Sequence, residues 1–165
     1  MKTSRRLILK TGVMFAGGLL THNASLALSA DTQDRPPALP GELVKEFVIA
    51  GHGNLAKVTE MLDKQPGLLN ACWDWGGGDF ETAIEGAGHV GNREIAEYLI
   101  SKGARLNVFC AAMLGRLDVV QATLTAFPNL KTSKGPHGLM LLHHAQKGGE
   151  TAKPVLEYLN SIGAS

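Results

Sequence analysis

The sequence lacks the residue spacings by which most metal and nucleotide sites are recognised. It contains no H-x-x-x-H pair, no C-x-x-C pair and no D-x-D-x-D-G calcium loop. The glycine-rich run G-A-G-H-V-G, residues 86–91, follows no buried strand and precedes no Lys-Ser/Thr pair, which argues against a nucleotide site. No serine or cysteine has an identifiable base and orienting partner. These absences predict a protein that is not an enzyme and holds no metal ion or cofactor.

The chain also lacks a Lys/Arg cluster and a hydrophobic run long enough to span a bilayer. Its longest apolar stretch, residues 12–20, has nine residues, whereas a helix needs about 20 to cross a membrane. Four of the 16 basic residues and none of the 15 acidic ones lie in residues 1–30, so the remainder carries about 12 − 15 = −3 charges. We therefore expect neither nucleic acid nor a membrane as a partner of the mature protein.

Residues 1–30 have the order of features typical of an export signal. The segment T-S-R-R-L-I-L-K, residues 3–10, resembles the twin-arginine export motif, and the matching residues are Ser4, Arg5, Arg6, Leu9 and Lys10. The short apolar stretch follows, and S-L-A-L-S-A then offers a cleavage site after Ala30, with Ala27 as the second choice. We expect a periplasmic or secreted protein.

Cysteine is scarce, and the two residues of this type are Cys72 and Cys110. Because twin-arginine substrates fold in the reducing cytosol, and because the repeats described below separate the two positions, we expect two half-buried thiols rather than a disulfide. Residues 31–41, D-T-Q-D-R-P-P-A-L-P-G, contain three prolines and predict an extended linker. The domain is expected to comprise residues 42–165.

The domain sequence repeats itself, and residues 82–107 are the clearest copy. Gly91 separates a short apolar helix from a second helix, whose apolar stripe ends before Gly103. This copy resembles an ankyrin repeat at Thr82, Ile84, Ala87, Gly91, Glu94, Ile95, Leu99, Gly103, Ala104 and Asn107. The resemblance implies an all-α protein, an α-solenoid of about four ankyrin-like helix-turn-helix repeats. Neighbouring repeats are needed because one hairpin cannot bury both of its faces.

The spacing of the repeats is irregular. The glycines in the middle of the four copies, Gly53, Gly91, Gly115 and Gly149, are separated by 38, 24 and 34 residues, whereas an ankyrin unit has about 33. The first connector between repeats, or finger, is therefore overlong, and the second finger is missing.

The overlong finger contains C-W-D-W-G-G-G-D, residues 72–79. In an extended segment Trp73 and Trp75 point to the same side, so we expect both indoles to cover the helix ends left bare by the missing finger. Alternatively, they are partly exposed and anchor a binding surface, or the two roles coexist, with one indole buried and the other exposed. Gly76, Gly77 and Gly78 supply the chain reversal.

Several polar residues receive structural interpretations. Asp79 is expected to cap the following helix, on which Glu81 and Glu85 lie one turn apart. His143 occupies the structural histidine position of the family's T-P-L-H motif, and His137 lies exposed at the tip of the third finger. The glycines at positions 86 and 88 are expected to allow close approach of a tryptophan from the first finger.

The resemblance to ankyrin repeats implies a module that binds another protein as a scaffold, protector or regulator. Residues 1–30 predict its export, and we expect a monomer. The residues expected to form the protein-binding surface are Trp73, Trp75, Asp79, Phe80, Glu81, Arg105 and His137. The alternative is a small-ligand or metal-binding protein, or an enzyme, that uses loop 73–85.

Overall fold

A computed structural model describes residues 36–164 of the chain. The export signal lies outside the described residues, including the motif residues Ser4, Arg5, Arg6, Leu9 and Lys10 and the cleavage position Ala30. The described part is mostly helical, with one small two-stranded sheet, so the predicted all-α class is confirmed. Among residues 36–164, no helix has the length and apolar character needed to span a membrane.

Eight α-helices in residues 36–164 form four consecutive hairpins. The first helices of the hairpins are α1 (Gly41–Gly51), α3 (Ala83–Val90), α5 (Val108–Met113) and α7 (Leu141–Lys147). The second helices are α2 (Leu55–Lys64), α4 (Arg93–Ser101), α6 (Leu117–Ala126) and α8 (Lys153–Ser161). Short 3₁₀ turns lie at Pro66–Asn70, Pro128–Thr132, Pro136–Gly138 and Gly149–Ala152.

Asparagine residues begin three of these helices. The side chains of Asn54, Asn92 and Asn107 accept hydrogen bonds from backbone N–H groups three residues later, at 2.8 to 3.1 Å. Each bond satisfies an N–H that has no partner inside the helix. Gly91 ends α3 with φ 85°, and a Cβ there would lie 2.6 Å from the carbonyl oxygen of Lys147. Glycine is therefore required at this turn for both its conformation and its size.

The first helices of the hairpins form a row through the molecule. Helix α1 packs on α3, α3 on α5 and α5 on α7, while each also contacts the second helix of its own hairpin. The buried apolar side chains form two clusters. One is centred on α1 to α4 and the other on α5 to α8, with α5 contributing to both. The apolar stripes of the individual hairpins are thus buried against their neighbours.

The first finger, residues 71–82, is a β-hairpin. Strands β1 (Cys72–Asp74) and β2 (Phe80–Thr82) are antiparallel, and Trp73 pairs with Glu81. Three successive glycines with positive φ, at positions 76, 77 and 78, reverse the chain as predicted. The Asp74 carboxylate accepts hydrogen bonds from the N–H groups of Gly76 and Gly78, so the tip of the hairpin is held by its own side chain.

The second finger is absent, which agrees with the predicted spacing. Residues 102–107 lead directly from α4 to α5 and contain no strand. As a result, α3 also contacts α7, two hairpins further along the chain. The His143 ring on α7 bonds through Nε2 to the carbonyl oxygen of His89 at 2.9 Å, which fits the structural role predicted for His143. The third finger, residues 133–140, therefore lies next to the first finger.

Both cysteines are free thiols. Cys110 is buried in α5, and burial raises the pKa of its thiol to about 12. The prediction of two half-buried thiols is therefore wrong for Cys110, which is 1% exposed, and also wrong for Cys72, which is exposed on β1. Its outward position follows from the strand, in which alternate side chains face opposite sides.

Candidate functional site

The candidate site is centred on a carboxylate that is fully buried. Glu81 lies on β2 between Phe80 and Thr82, and its side chain faces inward while that of Phe80 faces solvent. The side chain of Glu81 is 0% exposed. Its Oε2 atom accepts a hydrogen bond from the indole Nε1 of Trp75 at 2.8 Å. The other oxygen, Oε1, points towards three histidine rings.

Three histidines converge on this oxygen. The Nδ1 atom of His89 lies 2.9 Å from Oε1, and the Nε2 atoms of His52 and His137 each lie 3.5 Å from it. One ligand atom from each histidine and the carboxylate oxygen lie within 4.8 Å of one another. We call these residues, His52, Glu81, His89 and His137, the His–Glu cluster.

The cluster is assembled from four separate elements. His52 follows the end of α1, Glu81 lies on β2, His89 belongs to the last turn of α3, and His137 belongs to the third finger. The His89 ring lies between the other two, with ring centres 4.8 Å from His52 and 5.1 Å from His137. No two of the four ligands come from the same helix or strand.

Hydrogen bonds on the far side of two rings fix their orientation. His52 donates from Nδ1 to the backbone oxygen of Val48 at 3.0 Å, because a carbonyl oxygen can only accept. His137 donates from Nδ1 to Oδ2 of Asp79 at 2.9 Å. In both rings the proton is therefore on Nδ1, and the Nε2 atom turned towards Glu81 carries a lone pair when the ring is neutral.

Gly86 provides the space for His52. A Cβ at position 86 of α3 would lie 2.8 Å from Cε1 and 2.9 Å from Nδ1 of His52. Any larger residue would displace the ring. The neighbour of this glycine is thus His52 and not a tryptophan, and the neighbour of Gly88 is Cys110, so the expectation of a close tryptophan is wrong for both positions.

The electrostatics of the cluster are set by burial and by the imidazoles. Burial acts to raise the pKa of Glu81, but the His89 ring, the Trp75 indole and the His52 ring outweigh it and hold the pKa below its ordinary value. The carboxylate is therefore ionised near neutral pH. Oε1 of Glu81 and Nδ1 of His89 are close, yet neither atom completes a hydrogen bond of good geometry. A buried anion with an unpartnered oxygen is costly unless a cation is near.

Four of the residues predicted to form a protein-binding surface are brought together here. Trp75, Asp79, Glu81 and His137 all belong to the cluster or contact it directly. Asp79 does not cap a helix as expected, because it precedes β2 and its carboxylate binds the third finger. His137 is on the surface as predicted, but its backbone and ring are both held by that carboxylate.

The helical placement of Glu81 and Glu85 is wrong for Glu81. Glu81 is in a strand, and α3 begins only at Ala83. Glu85 is in the first turn of α3, where it accepts hydrogen bonds from Thr82 and, at the start of α5, from Asn107 Nδ2 at 2.7 Å. The two carboxylates therefore have separate roles.

The remaining predicted residues lie elsewhere. Trp73 packs on the start of α1, with Lys45 Nζ 5.3 Å from its ring centre. The expectation that both indoles cover the helix ends left bare by the missing finger is therefore wrong. Phe80 lies on the outer face of the first finger. Arg105 is in the short connection between α4 and α5, where its backbone N–H donates to Asn70.

His52 and His89 are the functional candidates that the sequence did not indicate. The prediction of no metal site relied on ligand pairs within one element, and these histidines have no such partner. The signal that was present is the glycine at position 86, which indicated a close approach of a large side chain. Its partner could not be identified without the fold.

No protein-family model matches the chain, and no curated protein matches it at a significant level.

Proposed function

We propose that the chain is an exported, non-enzymatic protein-binding module built from ankyrin-like repeats. The four consecutive hairpins, with their first helices in one row, support this assignment of the architecture. Repeat proteins of this kind present extended surfaces formed by successive connectors and helix faces. Because one fold can serve many functions, the proposal depends on the side chains that the first finger exposes.

The observation that carries the proposal is the exposure of two aromatic side chains on one rigid hairpin. Phe80 is 58% exposed and Trp75 is 37% exposed, and neither belongs to a hydrophobic cluster of the domain. The hairpin that carries them is held at its tip by Asp74 and on one side by the third finger. Exposed aromatic residues on a rigid support favour binding because little side-chain freedom is lost.

Phe80 is the better residue for a test. Trp75 also donates its indole N–H to Glu81, so its replacement would disturb the His–Glu cluster as well as the surface. The ring of Phe80 lies on the outer face, next to a shallow and mostly polar pocket that is also lined by Glu85, Phe109 and Lys134. The proposed partner therefore places an apolar group on Phe80 and polar groups over this pocket.

The test is site-specific photo-crosslinking in cells that make the chain. A photoreactive phenylalanine derivative is placed at position 80 or, as a matched control, at position 127, where Phe127 is 63% exposed after α6. We expect a discrete cross-linked protein from position 80 and none from position 127. Identical products from both positions, or none from either, would contradict the proposal.

Export is proposed from residues 1–30 and has a separate test. The arginine pair defines this motif, so the double substitution Arg5→Lys and Arg6→Lys is expected to leave the chain uncleaved in the cytoplasm. Fractionation followed by mass spectrometry of the N-terminus would measure this. A double variant that is still cleaved and exported would show that another signal is used.

A further inference from the structure

We infer that His52, Glu81, His89 and His137 form a binding site for one divalent transition-metal cation. The site stands on the geometry of the His–Glu cluster and does not depend on the proposed partner surface. The ligands are three imidazole nitrogens and one carboxylate oxygen: Nε2 of His52, Oε1 of Glu81, Nδ1 of His89 and Nε2 of His137.

The positions of the four ligand atoms suit one ion. They lie within 4.8 Å of one another, and the three nitrogens lie 2.9 to 3.5 Å from the carboxylate oxygen. Ligand atoms bound tetrahedrally to Zn²⁺ at about 2.0–2.1 Å are separated by roughly 3.4 Å. Only small side-chain movements are needed, and His52 and His137 are partly exposed, which gives the ion a route from solvent.

The outer atoms of three ligands are already held by other groups. The backbone oxygen of Val48 binds Nδ1 of His52, Asp79 binds Nδ1 of His137, and the Trp75 indole binds Oε2 of Glu81. These are the partners that usually surround a metal site, where they orient each ligand and fix the imidazole tautomer. They leave the inner atoms of these three residues with electron pairs available to one ion.

The charge of the cluster favours a cation at that point. Glu81 is 0% exposed and its Oε1 has no hydrogen-bond partner. Within the described residues, the basic groups that lie within ion-pair distance of Glu81 and Asp79 are the cluster histidines, with no lysine or arginine among them. One divalent cation would balance the two carboxylates while all three rings stay neutral.

The ligand types select the class of ion. Imidazole suits Zn²⁺, Cu²⁺, Ni²⁺ and Fe²⁺, whereas Ca²⁺ and Mg²⁺ require mainly oxygen ligands. Three of the four ligand atoms here are nitrogen. We therefore expect Zn²⁺ or a neighbouring first-row ion to bind, and Mg²⁺ and Ca²⁺ not to bind.

The competing explanation is a proton in place of the metal. One protonated histidine would also neutralise Glu81 and would explain the short contact to His89. The two explanations differ in a measurable way, because only the first gives stoichiometric metal binding. Glu81→Gln also distinguishes them, because only the metal explanation predicts a loss of Zn²⁺ binding. This substitution removes the charge but leaves an amide oxygen that can accept a hydrogen bond from the Trp75 indole.

The test is titration of the metal-stripped full chain with ZnCl₂, followed by calorimetry and by the shift in melting temperature. We expect one Zn²⁺ per chain and a raised melting temperature, with no response to MgCl₂ or CaCl₂. Asp79→Asn should weaken Zn²⁺ binding about 10- to 100-fold, because Asp79 orients a ligand without contacting the ion. Glu81→Gln and His137→Gln remove ligands and should weaken it by more than about 100-fold.

His143→Gln is the matched control. His143 is near the cluster but bonds to the backbone oxygen of His89, and an amide can replace that bond. We expect Zn²⁺ affinity within about threefold of the unaltered chain. His137 is on a surface finger and Glu81→Gln preserves shape, so circular dichroism should show both variants folded. Absence of Zn²⁺ binding by the folded chain, or binding that survives both substitutions, would overturn the inference and favour the protonated cluster.

Discussion

The carboxylate of Asp79 accepts two hydrogen bonds from His137, one from the backbone N–H at 2.8 Å and one from ring Nδ1 at 2.9 Å. The two residues belong to the first and third fingers, which meet because the second finger is missing. His137 has a φ of 58°, which is uncommon for a residue other than glycine. The paired hydrogen bonds compensate for this backbone conformation and hold the His137 ring against Glu81.

Asp79→Ala should release the third finger. The substitution removes both acceptors, so we expect the backbone N–H of His137 to exchange with deuterium on the order of tenfold faster. The matched control is Asp74→Ala, which removes an acceptor used only within the first finger. Hydrogen exchange measured by mass spectrometry of peptides covering residues 133–140 would report the effect. Equal protection of that segment in Asp79→Ala and the unaltered chain would refute the stated role of Asp79.

The repeat spacing was sufficient to predict most of the helical organisation. The four mid-repeat glycines mark the positions where the chain turns between the two helices of each hairpin, as at Gly91 between α3 and α4. The short interval before Gly115 predicts the missing finger. The structure agrees, because Asn107 begins α5 directly. These signals can be recognised in the sequence because each depends on residues that lie close together along the chain.

The His–Glu cluster could not be predicted in the same way. Its ligands are brought together by contacts of α3 with α1 and α7, and these contacts depend on how the hairpins stack. Motif spacing detects ligands that share one helix or strand, and no two of these do. The sequence also predicts a helix at Glu81, and this prediction conceals the strand alternation that turns Glu81 inward and Phe80 outward.

Two glycines of α3 should respond differently to alanine. Gly86→Ala places a Cβ 2.8 Å from the His52 ring, so we expect overpacking of about 1–3 kcal/mol to exceed the gain of about 1 kcal/mol in helix propensity. Gly88→Ala meets Cys110 at 3.4 Å, an ordinary contact, so the helix gain should remain. Denaturant unfolding is the measurement, with Gly86→Ala less stable and Gly88→Ala equal to or more stable than the unaltered chain. The reverse order would show that His52 does not fill the space beside Gly86.

The two tryptophans of the first finger should also differ. Trp75→Phe removes the indole N–H that binds Oε2 of Glu81, which leaves a second buried oxygen without a partner and should cost about 1–3 kcal/mol. Trp73→Phe removes only part of a contact with α1 and should cost about 1 kcal/mol or less. Chemical unfolding followed by circular dichroism is suitable because it does not rely on tryptophan emission. Similar losses from both substitutions would show that the hydrogen bond to Glu81 contributes little.

His144 should make the stability of the domain depend on pH. Its ring is buried beside Phe109, and this burial lowers its pKa from 6.5 to about 4, although Nδ1 donates to the backbone oxygen of Met140. The unfolded chain therefore takes up a proton near pH 6.5, whereas the folded chain does so only near pH 4. The stability due to neutral His144 is present above pH 6.5 and is lost as pH falls towards 4, by up to about 3 kcal/mol.

His144→Leu cannot take up this proton, so its free energy of unfolding should fall less steeply between pH 7 and pH 4, even if it is lower at every pH. The neighbouring substitution His143→Gln leaves the His144 ring in place and should retain the steep fall. If His144→Leu and the unaltered chain lose stability in parallel, the pH dependence arises from other groups.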